Sequence, residues 1–117
     1  FCCIQGMKKC YTEPMGYDKE NAITAEKLRN GQTCLVQGFG QSMTPILKSG
    51  QVCEVVPVTD AVELKKHDIV FAKVNGHFYL HKITAVKRTQ YQISNNHGHV
   101  NGWVSRSAIF GKVTKKF

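Results

Sequence analysis

The chain is poor in the features that mark membrane, metal-binding and disulfide-stapled proteins. No apolar run approaches the roughly 20 residues needed to cross a bilayer. The first residues lack a long apolar segment of the secretory type. The five cysteines (Cys2, Cys3, Cys10, Cys34, Cys53) are odd in number and show no CxxC spacing. Cys34 and Cys53 instead sit in apolar runs, where cysteine behaves as a small buried hydrophobe. There is no internal repeat and no low-complexity tract. These absences point to a reduced, cytoplasmic protein without a membrane anchor. Acidic residues are also scarce after residue 60, where Glu63 and Asp68 face ten Lys and Arg. Residues 1–60 sum to zero, so the whole net charge of +8 falls after residue 60. That asymmetry is compatible with a polyanion or nucleic-acid partner, and equally with a solubilising face and a basic tail (Lys112, Lys115, Lys116). No helix carries the basic residues as a stripe.

What is present fits one modest soluble domain, at 117 residues and 42% hydrophobic content. Met7-Lys8-Lys9 reads as a natural start, so residues 1–6 are taken as a non-native remnant or part of a longer precursor. Residues 1–23 read as an arm and 24–117 as the domain. A short helical turn is expected from Thr24, its N-cap, to the Asn30-Gly31 stop. From there the texture is β. Strands are expected at Cys34–Val36, Val52–Val58, Ile69–Val74, His77–Val86, Tyr91–Ile93 and Ala108–Val113, with Val100–Val104 leading into Ser105-Arg106-Ser107. Asn75-Gly76 between two apolar runs is a strong hairpin signal. Residues 59–66 are a polar link with room for one helical turn. The fold class is mostly β, built of short antiparallel strands.

One turn carries potential chemistry. In Gly38-Phe39-Gly40-Gln41-Ser42-Met43-Thr44-Pro45, a lone serine follows an apolar run between a glycine pair and a proline. Such a turn can push a small hydroxyl out of a sheet toward a substrate. The bland reading is a loop serine bonded to its own backbone. Serine is a weak nucleophile without a base. Of the five histidines, His81 stands apart, because strand alternation puts it mid-strand on one face with Tyr79 and Ile83. On a partly apolar face it would stay neutral, as a general base must. It could equally be a satisfied core histidine. His97 and His99 form a weak metal signal with no acid or cysteine nearby, so no metal or cofactor is expected.

The ordered set Gly40-Gln41-Ser42-Met43-Thr44-Pro45, Lys66-His67-Asp68-Ile69-Val70, Tyr79-Leu80-His81-Lys82-Ile83 and Ile109-Phe110-Gly111-Lys112-Val113 resembles the LexA/signal peptidase superfamily over residues 31–113. The resemblance implies that family's β fold and a serine peptidase site. It places His81 where many members carry a lysine, as in signal peptidases of the endoplasmic reticulum and archaea. Lys82 falls at a second basic position. It implies Ser42 as nucleophile, His81 as base, and Asn95 in place of the acid that would orient the ring. The oxyanion would be held by the Ser42 N–H, with Gly40 and Met43 shaping the turn. By the same resemblance, a small phage-type protein fits a chain with no membrane anchor and no helix-turn-helix domain.

Two readings follow. The first is a soluble serine endopeptidase that cleaves itself or a protein partner. The second is a catalytically weak or inactive member of the fold that binds protein or nucleic acid through its basic half or an exposed strand edge.

Overall fold

The computed structural model describes residues 2–3, 14–37 and 43–117. In chain order these form β1 (Cys2–Cys3), α1 (Pro14–Arg29), β2 (Cys34–Gln37), β3 (Val52–Pro57), β4 (Ile69–Val74), β5 (His77–Lys87), β6 (Gln90–Ser94), β7 (Val100–Ser105), a 3-10 turn (Arg106–Ala108) and β8 (Ile109–Lys116). The strands make one antiparallel sheet in the order β1-β2-β3-β8-β4-β5-β6-β7. The mostly-β expectation and each expected strand from residue 34 onward hold.

Two expectations about the N-terminal part do not. The helix is not a short turn from Thr24 but runs over 16 residues from Pro14, across the expected boundary at residue 23. Proline suits the first helical position, where its missing N–H costs no bond and its φ is already helical. Asn21, Thr24, Ala25 and Leu28 are all buried at helical spacing, so Thr24 is a core-facing residue and not a cap. The expected stop is found. Gly31 has φ +92°, its N–H donates to Leu28 O, and the Gln32 N–H donates to Lys27 O, a Schellman pair. Residues 59–66 hold turns and no helix.

The sheet is covered on both faces. Leu28, Val36, Met43, Leu47, Cys53, Val55, Phe71 and Leu80 pack in one cluster with Ala25 of α1. Val70, Ala72, Val74, Ile83, Tyr91, Ile93 and Ile109 form the other. Successive residues of β4 and β5 thus point into different cores, as period-two alternation requires. β8 passes so close to β3 and α1 at Gly111 that an added Cβ would collide with Val55 and crowd Val56 O and Leu28. The sheet curls until β7 meets the β4–β5 hairpin: a Cβ on Gly102 would lie 3.1 Å from Val74. Near it, Asn75 Nδ2 donates to Asn101 O at 3.4 Å. That curl carries β7 to the face where His81 lies.

Candidate active site

His81 sits in the middle of β5, opposite Val70 of β4. It is only 7% exposed. Its ring stacks on Tyr79, with centroids 4.9 Å apart, so the expected shared face is the one observed. Nδ1 lies 2.7 Å from Asn101 Oδ1. Because that oxygen can only accept, Nδ1 carries the proton and donates it, leaving the lone pair on Nε2. Burial pushes the His81 pKa below its ordinary value of 6.5; the Asn101 bond opposes this and nearby His99 adds to it. A neutral imidazole with a basic Nε2 is the form that can take a proton from a hydroxyl.

Asn101 reaches the ring through a β-bulge. Ile93 pairs with Gly102 and Ser94 with Val100, so Asn101 is the extra residue on β7. A bulge re-aims a side chain that regular pairing would point elsewhere. Asn95, expected to orient the ring, does something different. Its Oδ1 accepts from the N–H groups of His97 (2.8 Å) and His99 (3.0 Å), which organises its own loop. The short polar side chain bonds the backbone two and four residues on, the ordinary behaviour of an asparagine in a turn. The amide that meets His81 comes instead from Asn101. The available signal was Gly102, since a lone glycine within a strand pattern marks bulges.

Ser42 and Gly40 lie outside the described residues. Met43, which follows the serine, is 4% exposed and belongs to the core cluster beneath α1, together with Leu47. The Leu47 N–H donates to Met43 O at 2.8 Å, closing the turn, and the Thr44-Pro45 peptide bond is cis. From the opposite side, the 95–99 loop grips Thr44. Asn96 Nδ2 donates to Thr44 O at 2.9 Å, and Thr44 Oγ1 lies 3.2 Å from His97 Nε2. Lys82 Nζ donates to Asn96 Oδ1 at 2.8 Å. The end of the serine turn and the strand bearing His81 are therefore joined by a short polar chain.

A family model for Peptidase S24-like proteins matches residues 6–114. The chain belongs to the Peptidase S24-like family. Neither a search of curated proteins nor a search of solved structures returns a match. For an S24-like domain, the ordered match covers both the serine turn and the strand bearing His81. Among the described residues, no three His, Cys, Asp or Glu side chains come together in a way that could hold a metal ion. No described helix is long and apolar enough to cross a membrane.

Part of the basic half is engaged within the fold. Lys112 pairs with Asp68 at 3.4 Å. Arg106 donates to Thr59 O and Val62 O, and Lys73 lies over the Phe78 ring. An open cleft of about 210 Å³ between the start of β4 and the end of β8 collects His67, Lys115 and Lys116, with Asp68 also in its wall.

Proposed function

We propose that this S24-like chain is a serine endopeptidase that cleaves itself or a protein partner, with Ser42 as nucleophile and His81 as base. The observation that carries the reading is the 2.7 Å bond between His81 Nδ1 and Asn101 Oδ1 in a buried setting, which supports a neutral ring with its lone pair on Nε2. In the proposed reaction Ser42 Oγ attacks the peptide carbonyl carbon while its proton passes to Nε2. The oxyanion is met by the Ser42 N–H beside Gly40. The tetrahedral species collapses to an acyl-enzyme as the C–N bond breaks, and His81 returns the proton to the leaving amine. Water, deprotonated by the same nitrogen, then releases the acid. An asparagine keeps the tautomer but adds no negative charge to stabilise the imidazolium, so turnover is slower than with a carboxylate partner.

A second reading, a binding module without chemistry, is favoured by the open basic cleft of His67, Lys115 and Lys116, which fits an acidic or phosphate-bearing partner. One experiment separates the two. A fluorophosphonate probe should label the protein at neutral pH, and Ser42→Ala and His81→Ala should each abolish labelling. Labelling should also fall away in acid, with a midpoint below 6.5. A protein that stays unlabelled from neutral to alkaline pH has no activated serine, and the binding reading then stands.

A further inference from the structure

We infer that Lys82, acting through Asn96, is a positioning residue that holds Thr44 at the end of the serine turn, and that it does not serve as the proton acceptor of the reaction. The inference rests on the peptidase reading above.

Lys82 follows His81 directly, so strand alternation turns the two side chains to opposite faces of β5. Tyr79 and Ile83, which share the His81 face, pack in one core cluster. Phe78 and Leu80, which share the Lys82 face, pack in the other, together with Met43 and Leu47 of the turn. Lys82 is therefore on the side of the sheet from which the turn is anchored. Its ammonium donates to Asn96 Oδ1 at 2.8 Å, and the same amide donates from Nδ2 to Thr44 O at 2.9 Å. An amide oxygen can only accept, so Lys82 Nζ is the donor here, and the charged ammonium makes the stronger, charge-assisted bond. A lysine acting as base gives up that charge and weakens the link. The two roles therefore compete.

The chain of bonds ends two residues beyond Ser42 in sequence. Thr44 is held at two atoms, its carbonyl by Asn96 and its hydroxyl by contact with His97. The gripping loop is itself braced: Asn95 accepts from the His97 and His99 N–H groups and donates its own N–H to His99 O at 3.0 Å. Core packing holds Met43 and Leu47, and the Lys82-Asn96 pair holds Thr44. Displacement of about 1 Å is enough to cost a nucleophile on the order of a hundredfold in rate, so such a double anchor has a use.

The test combines two readouts on the full chain. Lys82→Met keeps the stem and removes the ammonium. Asn96→Asp keeps an acceptor for Lys82 but sets a carboxylate oxygen against Thr44 O, and Asn96→Ala removes both bonds. Amide hydrogen exchange at Leu47, whose N–H closes the turn, should speed up about tenfold in both Asn96 variants. The probe-labelling rate should fall about tenfold in all three, with the acid limb at unchanged pH because His81 is untouched. Lys82→Arg, which still donates, should recover most of the rate. Unchanged Leu47 exchange in both Asn96 variants would show that no clamp exists. Complete loss of labelling in Lys82→Met and in Lys82→Arg, with Leu47 exchange as in the wild type, would make Lys82 the base. If the wild type itself is not labelled, the peptidase reading fails, while the exchange measurement still decides the clamp.

Discussion

Asn101→Ala is the substitution that bears most directly on the His81 arrangement. The bond it removes is 2.7 Å long and joins a half-buried amide to a buried ring. Leaving the Nδ1–H unpaired costs about 1–2 kcal/mol, the lower part of the range for a buried polar group. For a domain of this size that lowers Tm by about 4–8 °C. A small domain is typically stable by about 5–15 kcal/mol, so nearly every molecule stays folded at 25 °C. The effect on chemistry is larger. Without the amide oxygen the ring loses the acceptor that sets its tautomer and can place its proton on Nε2, the tautomer that cannot act as base. A general base contributes about 10²–10⁴ in rate, and a mis-set tautomer loses much of it, so labelling should slow about 10²-fold or more. Asn101→Asp should act in the opposite sense. A carboxylate at the same position keeps Nδ1 as donor and stabilises the imidazolium, so labelling should speed up and its acid limb should move to higher pH. The assay is the pseudo-first-order rate of fluorophosphonate labelling across pH, with thermal melts alongside. A folded Asn101→Ala protein that labels within twofold of the wild type would refute the reasoning, as would Asn101→Asp leaving the acid limb where it was.

Two further outcomes follow from the fold. The His81 pKa lies below 6.5 in the native state, so the unfolded chain binds a proton there that the folded chain refuses. The associated stability is fully present above 6.5 and is lost as pH falls below it, by at most about 1.4 kcal/mol per pH unit; urea unfolding at pH 7 and 5.5 should show the decline, and His81→Gln should flatten it. Gly111→Ala forces a methyl group into the contact with Val55, Val56 O and Leu28, and should destabilise by about 1–3 kcal/mol in a thermal melt. A melt unchanged by that substitution would mean that β8 does not pass so close to α1.

How much of this was legible in the sequence depends on whether a feature is local. The hairpin at Asn75-Gly76 and the strands on either side follow from turn chemistry and from β-branched runs that carry their own signal. The pairing of His81 with Tyr79 on one face needed only period-two counting. The start of α1 was obscured because Pro14 and Gly16 both weigh against a helix interior, and its buried stripe of Asn21, Thr24 and Ala25 is too polar and small to show as hydrophobic periodicity. Register decided the rest. Asn95 stood in the position suggested by resemblance, yet a loop asparagine has backbone N–H groups within reach and satisfies them first. Asn101 is 20 residues from His81 and meets it only because one extra residue on β7 breaks the ladder between Ile93 and Ser94.

A matching irregularity on β5 leaves Thr84 out of step between Ile83 and Ala85, where its hydroxyl lies 2.8 Å from Ser94 Oγ and 3.0 Å from Gln92 Oε1. Both bulges lie around β6, and Ser94 at the end of that strand opens the loop that grips Thr44. Bulges increase local twist and bend the strand that carries them. The same two insertions therefore supply the curl that brings β7 over His81 and the exit angle that sends Asn96 toward the serine turn. Around β6, the polar contacts of the candidate site and these two departures from regular pairing have one origin. Restoring regular register by deleting Asn101 would remove the ring's partner and the path of the gripping loop together.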